Sequence, residues 1–157
     1  MTATAVFYHL TRAGLDDTVI TTITRALGAG WRVMIRTPDA GLLDHLDAKL
    51  WLGPEEGFLP HSLQGGPQDA SQPVLLGQGA IANAAKGLML LSGANALREE
   101  APGLERIWVL FDGADAAAVA SARLHWTEFT SWGLAAQYWS DKGGSWVKKT
   151  ERAAVEA

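Results

Sequence analysis

Cysteine is absent from these 157 residues. That excludes disulfides and thiolate metal sites and fits a reducing compartment. Excess positive charge is absent too. Thirteen Lys and Arg stand against 17 Asp and Glu, and a formal net charge of −4 gives no whole-molecule attraction for nucleic acid. DNA is therefore expected only as an indirect partner. No apolar run approaches the roughly 20 residues of a membrane helix, so no membrane partner is expected. The N-terminal residues lack the charged, apolar, small-residue order of a secretory signal, and the expected location is cytoplasmic. Four histidines, His9, His45, His61 and His125, never pair at the three- or four-residue spacing of a metal site. No metal and no cofactor are expected.

What remains is a chain of ordinary globular composition, 48% hydrophobic and 19% charged. It is long enough for one domain with a real core. Thr4 to Leu10 is a β-rich run. Leu15, Val19, Ile23 and Leu27 recur every four residues, the apolar stripe of a helix, with Asp16 and Asp17 in its first turn. Trp31 to Ile35 reads as a strand buried on both faces. Pro38 and Asp39 open a helix through about Lys49. Pro73 to Leu76, Gly87 to Leu91 and Arg106 to Phe111 read as further strands, and Ala114 to Trp132 as the longest helix. Strands alternating with helices predict a single α/β domain over residues 1–150. Its sheet is expected to be mostly parallel with helices on both faces, a Rossmann-like topology without a nucleotide site. Residues 151–157 read as a flexible tail.

Four features invite chemistry. Leu50 to Gln64, LWLGPEEGFLPHSLQ, breaks regular structure with Pro54 and Pro60 and carries Trp51 and Phe58. Such a crossing runs over the surface, so its aromatics point to recognition rather than catalysis. Glu55 and Glu56 are adjacent and read as solvated turn residues. Gly77, Gly79 and Ala82 spell GQGAIA after an apolar run, matching a dinucleotide fingerprint. The fingerprint normally closes the first strand, opens a helix and is followed by an acidic residue on the next strand; none of these holds. Asp112 closes a strand at the edge where α/β proteins place ligands, and reads as a helix N-cap. Arg123 and Trp126, three apart on the last helix, share one face. There a guanidinium fork beside a ring makes a slot for a carboxylate on an apolar group; a core Trp with Arg capping it outward is the other reading.

The FYHL strand, the segment LDAKLWLGPEEGFLPHSLQG and the helix around Arg123 and Trp126 together resemble the chi subunit of the bacterial DNA polymerase III holoenzyme. The resemblance implies a non-catalytic clamp-loader accessory subunit. It implies that Arg123 and Trp126 bind the acidic C-terminal tail of single-stranded DNA-binding protein, which ends in apolar residues and a free carboxylate. It implies that Trp51 and Phe58 hold the psi subunit or an equivalent clamp-loader protein. The resemblance implies further basic residues flanking the pair; Val119 and Thr127 stand where lysines are expected, leaving Lys142, Lys148, Lys149 and Arg152 to supply positive charge. The alternatives are a small nucleotide-binding enzyme using the Gly77–Gly79 loop, and a structural subunit whose aromatics serve a core or homodimer.

Overall fold

A computed structural model describes residues 3–52 and 60–155. The alternation in β1 (Thr4–Leu10) sends Ala5 and Phe7 to one face of the sheet and Val6 and Leu10 to the other. In α1 (Leu15–Gly28) the buried stripe includes Val19, Ile23 and Ala26, and Asp16 and Asp17 complement the helix dipole. β2 (Val33–Arg36) is buried throughout. α2 (Ala40–Leu52) starts where the Asp39 carboxylate accepts the Leu42 N–H at 3.1 Å. Then follow β3 (Ser62–Leu63), β4 (Val74–Gly77), β5 (Gly87–Leu90), a 3-10 segment (Arg98–Gly103), β6 (Arg106–Asp112), α3 (Ala116–Ser131), β7 (Ala135–Ser140) and β8 (Val147–Arg152).

The strands form one sheet in the order β3-β4-β2-β5-β6-β1-β7-β8. Neighbours are parallel except β7 and β8. On one face α1 and α2 cover Val6, Ile35, Met89 and Leu110. On the other, Ala122 and Phe129 of α3 pack over Phe7, Met34, Leu88 and Val109. The expected α/β class, the mostly parallel sheet and the helices on both faces are all present.

Three details differ from the sequence reading. Asp115, not Asp112, caps α3, because its carboxylate is the one that accepts the Ala117 and Ala118 N–H groups. The Asp112 carboxylate instead braces the turn through the Ala114 N–H at 2.9 Å. β3, β7 and β8 were not anticipated. β8 also runs through Arg152, past the boundary expected at 150, since its backbone pairs with the edge of β7. Beyond it the Val155 N–H donates to the Gly133 carbonyl at 2.9 Å.

Candidate functional site

Capping by Asp115 sets the phase of α3. Ala122, His125 and Phe129 face the core, which leaves Arg123 exposed and Trp126 half-buried at the edge of the helix footprint. The Trp126 ring lies 5.4 Å from Phe7 and meets Tyr138 of β7 edge-on at 6.4 Å. The Tyr138 hydroxyl in turn bonds His9 Nδ1 at 2.6 Å. Burial pushes the Tyr138 phenol up from its usual pKa, and the positive charge of Arg123 opposes that rise. Arg123 and Trp126 therefore put an exposed cation on the same helix face as a ring that is fixed from behind.

Val119 and Thr127 occupy the positions where lysines are expected. Val119 is half-buried and packs against the core, and the Thr127 hydroxyl donates back to the Arg123 carbonyl at 3.2 Å. Antiparallel pairing puts cross-strand partners on one face. Tyr138 pairs with Thr150 and Ala136 with Arg152, so Arg152 shares the α3 face. Lys148 stands opposite Trp139 on the other face, bonded to Glu151 at 3.0 Å. Of the tail cations expected to supply charge, Arg152 is thus on the α3 face, whereas Phe7 and Tyr138 escaped the sequence reading. The signal for Tyr138 was its parity with buried Ala136 in AAQYWS.

The second expected surface begins at Trp51, which is 59% exposed in the last turn of α2. Its ring meets His61 edge-on at 5.4 Å. His61 is buried, with Nε2 2.9 Å from the Asp47 carboxylate and 3.1 Å from the Asp47 carbonyl. It thus ties the returning chain to α2. Phe58, the other aromatic of this surface, lies outside the described residues, as does Pro54.

The glycine loop is occupied by the chain itself. No helix follows β4; residues 78–86 are bends and irregular backbone. The Gln64 side chain accepts the Gly79 N–H at 3.0 Å and donates to the Ala80 carbonyl at 2.9 Å. A Cβ on Gly77 would collide with the Gln64 side chain, so this glycine makes room for a glutamine rather than a pyrophosphate. Arg36 Nε donates to the Gly79 carbonyl at 3.1 Å, and its other nitrogens bond the Asn95 carbonyl and both oxygens of Glu100 at 2.7–2.9 Å. Burial pushes the Glu100 carboxyl up, but the bonds from Arg36 and the Leu97 N–H outweigh it and hold it below the usual range. The backbone after β1, where a fingerprint would normally fall, is filled likewise. The Asp141 carboxylate accepts the N–H groups of Thr11, Arg12 and Ala13, occupying a nest of the kind that binds anions. Among the described residues no group of three His, Asp or Glu side chains is placed to hold a metal ion.

A family model described as DNA polymerase III chi subunit, HolC, matches residues 1–137. The match spans both surfaces above: Trp51 on α2, and Arg123 and Trp126 on α3. No curated protein matches the chain.

Proposed function

The chain belongs to the DNA polymerase III chi-subunit family, and from that premise we propose that it is a replisome adaptor binding the acidic C-terminal tail of single-stranded DNA-binding protein. It would link that protein to the clamp loader. Subunits of this family are non-catalytic, so the work to be explained is recognition.

The observation that carries this reading is that exposed Arg123 and half-buried Trp126 share one face of α3, with the Trp126 ring backed by Phe7 and Tyr138. An acidic tail ending in an apolar residue with a free carboxylate needs a cation and an apolar wall side by side. Arg123 supplies a bidentate fork at the surface. Trp126, backed by Phe7 and Tyr138, supplies a wall that is already ordered and loses little side-chain freedom on binding. Arg152 adds positive charge on the same face. Single-stranded DNA-binding protein displays several tails, so individually weak binding events are strengthened by multivalency. The partner at Trp51 and Phe58 is the psi subunit or an equivalent clamp-loader protein. Among the described residues no helix is long and apolar enough to cross a membrane. Membership of the family supports a cytoplasmic location at the replisome.

The test is fluorescence anisotropy with a labelled acidic tail peptide. Water re-solvates an exposed site when one partner is removed, so Arg123→Ala should cost about 1–2 kcal/mol, or roughly ten-fold in affinity. Trp126→Ala should do comparable damage, and binding should weaken as salt rises. Equal affinity for the wild type and a folded Arg123→Ala variant would remove α3 from the mechanism.

A further inference from the structure

The face of the sheet opposite α3 is only partly covered. α1 and α2 lie over its centre and its β4 side, and the β1-β7-β8 side is left as a groove along the flank of α1. Two contiguous cavities make up this groove. One of about 460 Å³ runs between α1 and Trp139 and Trp146. The other, of about 310 Å³, continues over Trp31, Trp108 and Arg106. Tyr8, Thr22, Arg25 and Trp139 line both.

The lining has a definite chemistry. Tyr8 and Trp139 are direct neighbours on adjacent strands. Trp146 meets Tyr8 edge-on at 5.0 Å, and the Arg106 guanidinium lies over the Trp31 ring at 5.7 Å. Tyr8, Trp31, Trp139 and Trp146 are all half-buried, so each keeps accessible ring surface. The charges of Arg25 and Arg106 both reach the Tyr8 phenol, where they oppose the rise that burial imposes. Among the described residues neither arginine forms an ion pair. Among the described residues Asp17 is the one carboxylate lining the two cavities.

We propose that this groove binds a short stretch of single-stranded nucleic acid, with bases stacked on Trp139, Tyr8 and Trp146 and phosphates held by Arg25 and Arg106. Aromatic rings on an open sheet face, flanked by unneutralised cations, are what a flexible polyanion of flat bases requires. An acidic peptide would use the arginines but would leave most of the ring surface without a stacking partner. The elongated shape suits several linked nucleotides better than one free nucleotide. The net charge of −4 opposes long-range attraction, so binding is weak and local, with a dissociation constant of about 10⁻⁴–10⁻⁶ M at physiological salt.

The experiment uses the full chain and a fluorescein-labelled oligothymidylate of about eight nucleotides, within the length such grooves span. Anisotropy should report saturable binding that quenches tryptophan emission and weakens with salt. Arg25→Glu changes an exposed residue and spares the fold. It should reduce affinity at least about ten-fold and flatten the logarithmic salt dependence by about 0.7 for each phosphate left without its cation. Trp146→Ala should reduce affinity and remove part of the quenching. Arg25→Glu should leave acidic-tail-peptide binding unchanged, because α3 lies on the opposite face. No saturable binding, or binding indifferent to Arg25→Glu, would overturn the proposal. Loss of tail-peptide binding in Arg25→Glu would overturn it too, by making the groove a peptide site.

Discussion

Asp141 shows how one carboxylate can decide what a sheet edge does. Its three acceptor bonds come from consecutive backbone groups, Thr11, Arg12 and Ala13, at the carboxyl end of β1. Burial alone pushes this carboxyl up; the backbone N–H bonds from Ala13, Thr11 and Arg12 reverse that and hold it below the ordinary range. The sign follows from linkage. A carboxylate with a folded-state pKa below its unfolded value of about 3.9 stabilises the fold above that pH. The contribution is lost as pH falls through the folded value. Asp141→Asn keeps one acceptor oxygen and loses the charge, at a cost of about 1–3 kcal/mol near neutrality. Urea titration across pH should show the gap between wild type and variant full above about pH 4 and shrinking below it. A gap that stays constant down to the lowest pH at which the protein folds would rule out this role.

At the scale of elements, the sequence was legible where a helix or strand is half apolar and opaque where backbone pairing alone makes the structure. β1 and α1 carry periodic apolar positions, and their spans were readable almost to the residue. β8 is exposed at every position, VKKTER, with no alternation to detect. It is a strand because β7 presents an unpaired edge, a fact of topology. Of the candidate site, spacing put Arg123 and Trp126 on one helix face, and only the family resemblance singled them out as a tail site. Tyr138 joins them through register, since β7 pairs in parallel with β1 and stands it beside Phe7. The glycine loop misled for a similar reason: its partners, Gln64 and Arg36, come from elsewhere in the chain. Arg36 and Glu100 tie the end of β2 to that loop and to the 3-10 segment before β6. The pair is largely buried, so breaking it should cost about 3–5 kcal/mol, while replacing both partners with apolar residues should cost much less. Chemical denaturation of Glu100→Ala and of Arg36→Met with Glu100→Leu tests this. A double variant as unstable as the sum of its single changes would contradict it.

At the scale of the whole molecule, the sheet separates the two proposed partner surfaces. α3 carries Arg123 and Trp126 on one face, over β6, β1 and β7. Trp51 lies in the last turn of α2, which packs on the opposite face near β3 and β4 at the far edge. Among the described residues neither Arg123 nor Trp126 touches α2 through a hydrogen bond, an ion pair or a ring contact. Sites this far apart with no shared partner are expected to be energetically independent within about 0.5 kcal/mol. An adaptor needs that independence, because it must hold a clamp-loader protein and a tail at once. Trp51→Ala should therefore weaken capture of the clamp-loader partner while leaving tail-peptide affinity within about two-fold of wild type, which is what such a coupling limit allows. Saturating tail peptide should likewise leave the partner's affinity unchanged, and the ternary complex should be observable in analytical ultracentrifugation. Competition between the two ligands would place them on one surface and end the adaptor reading, even if each bound tightly alone.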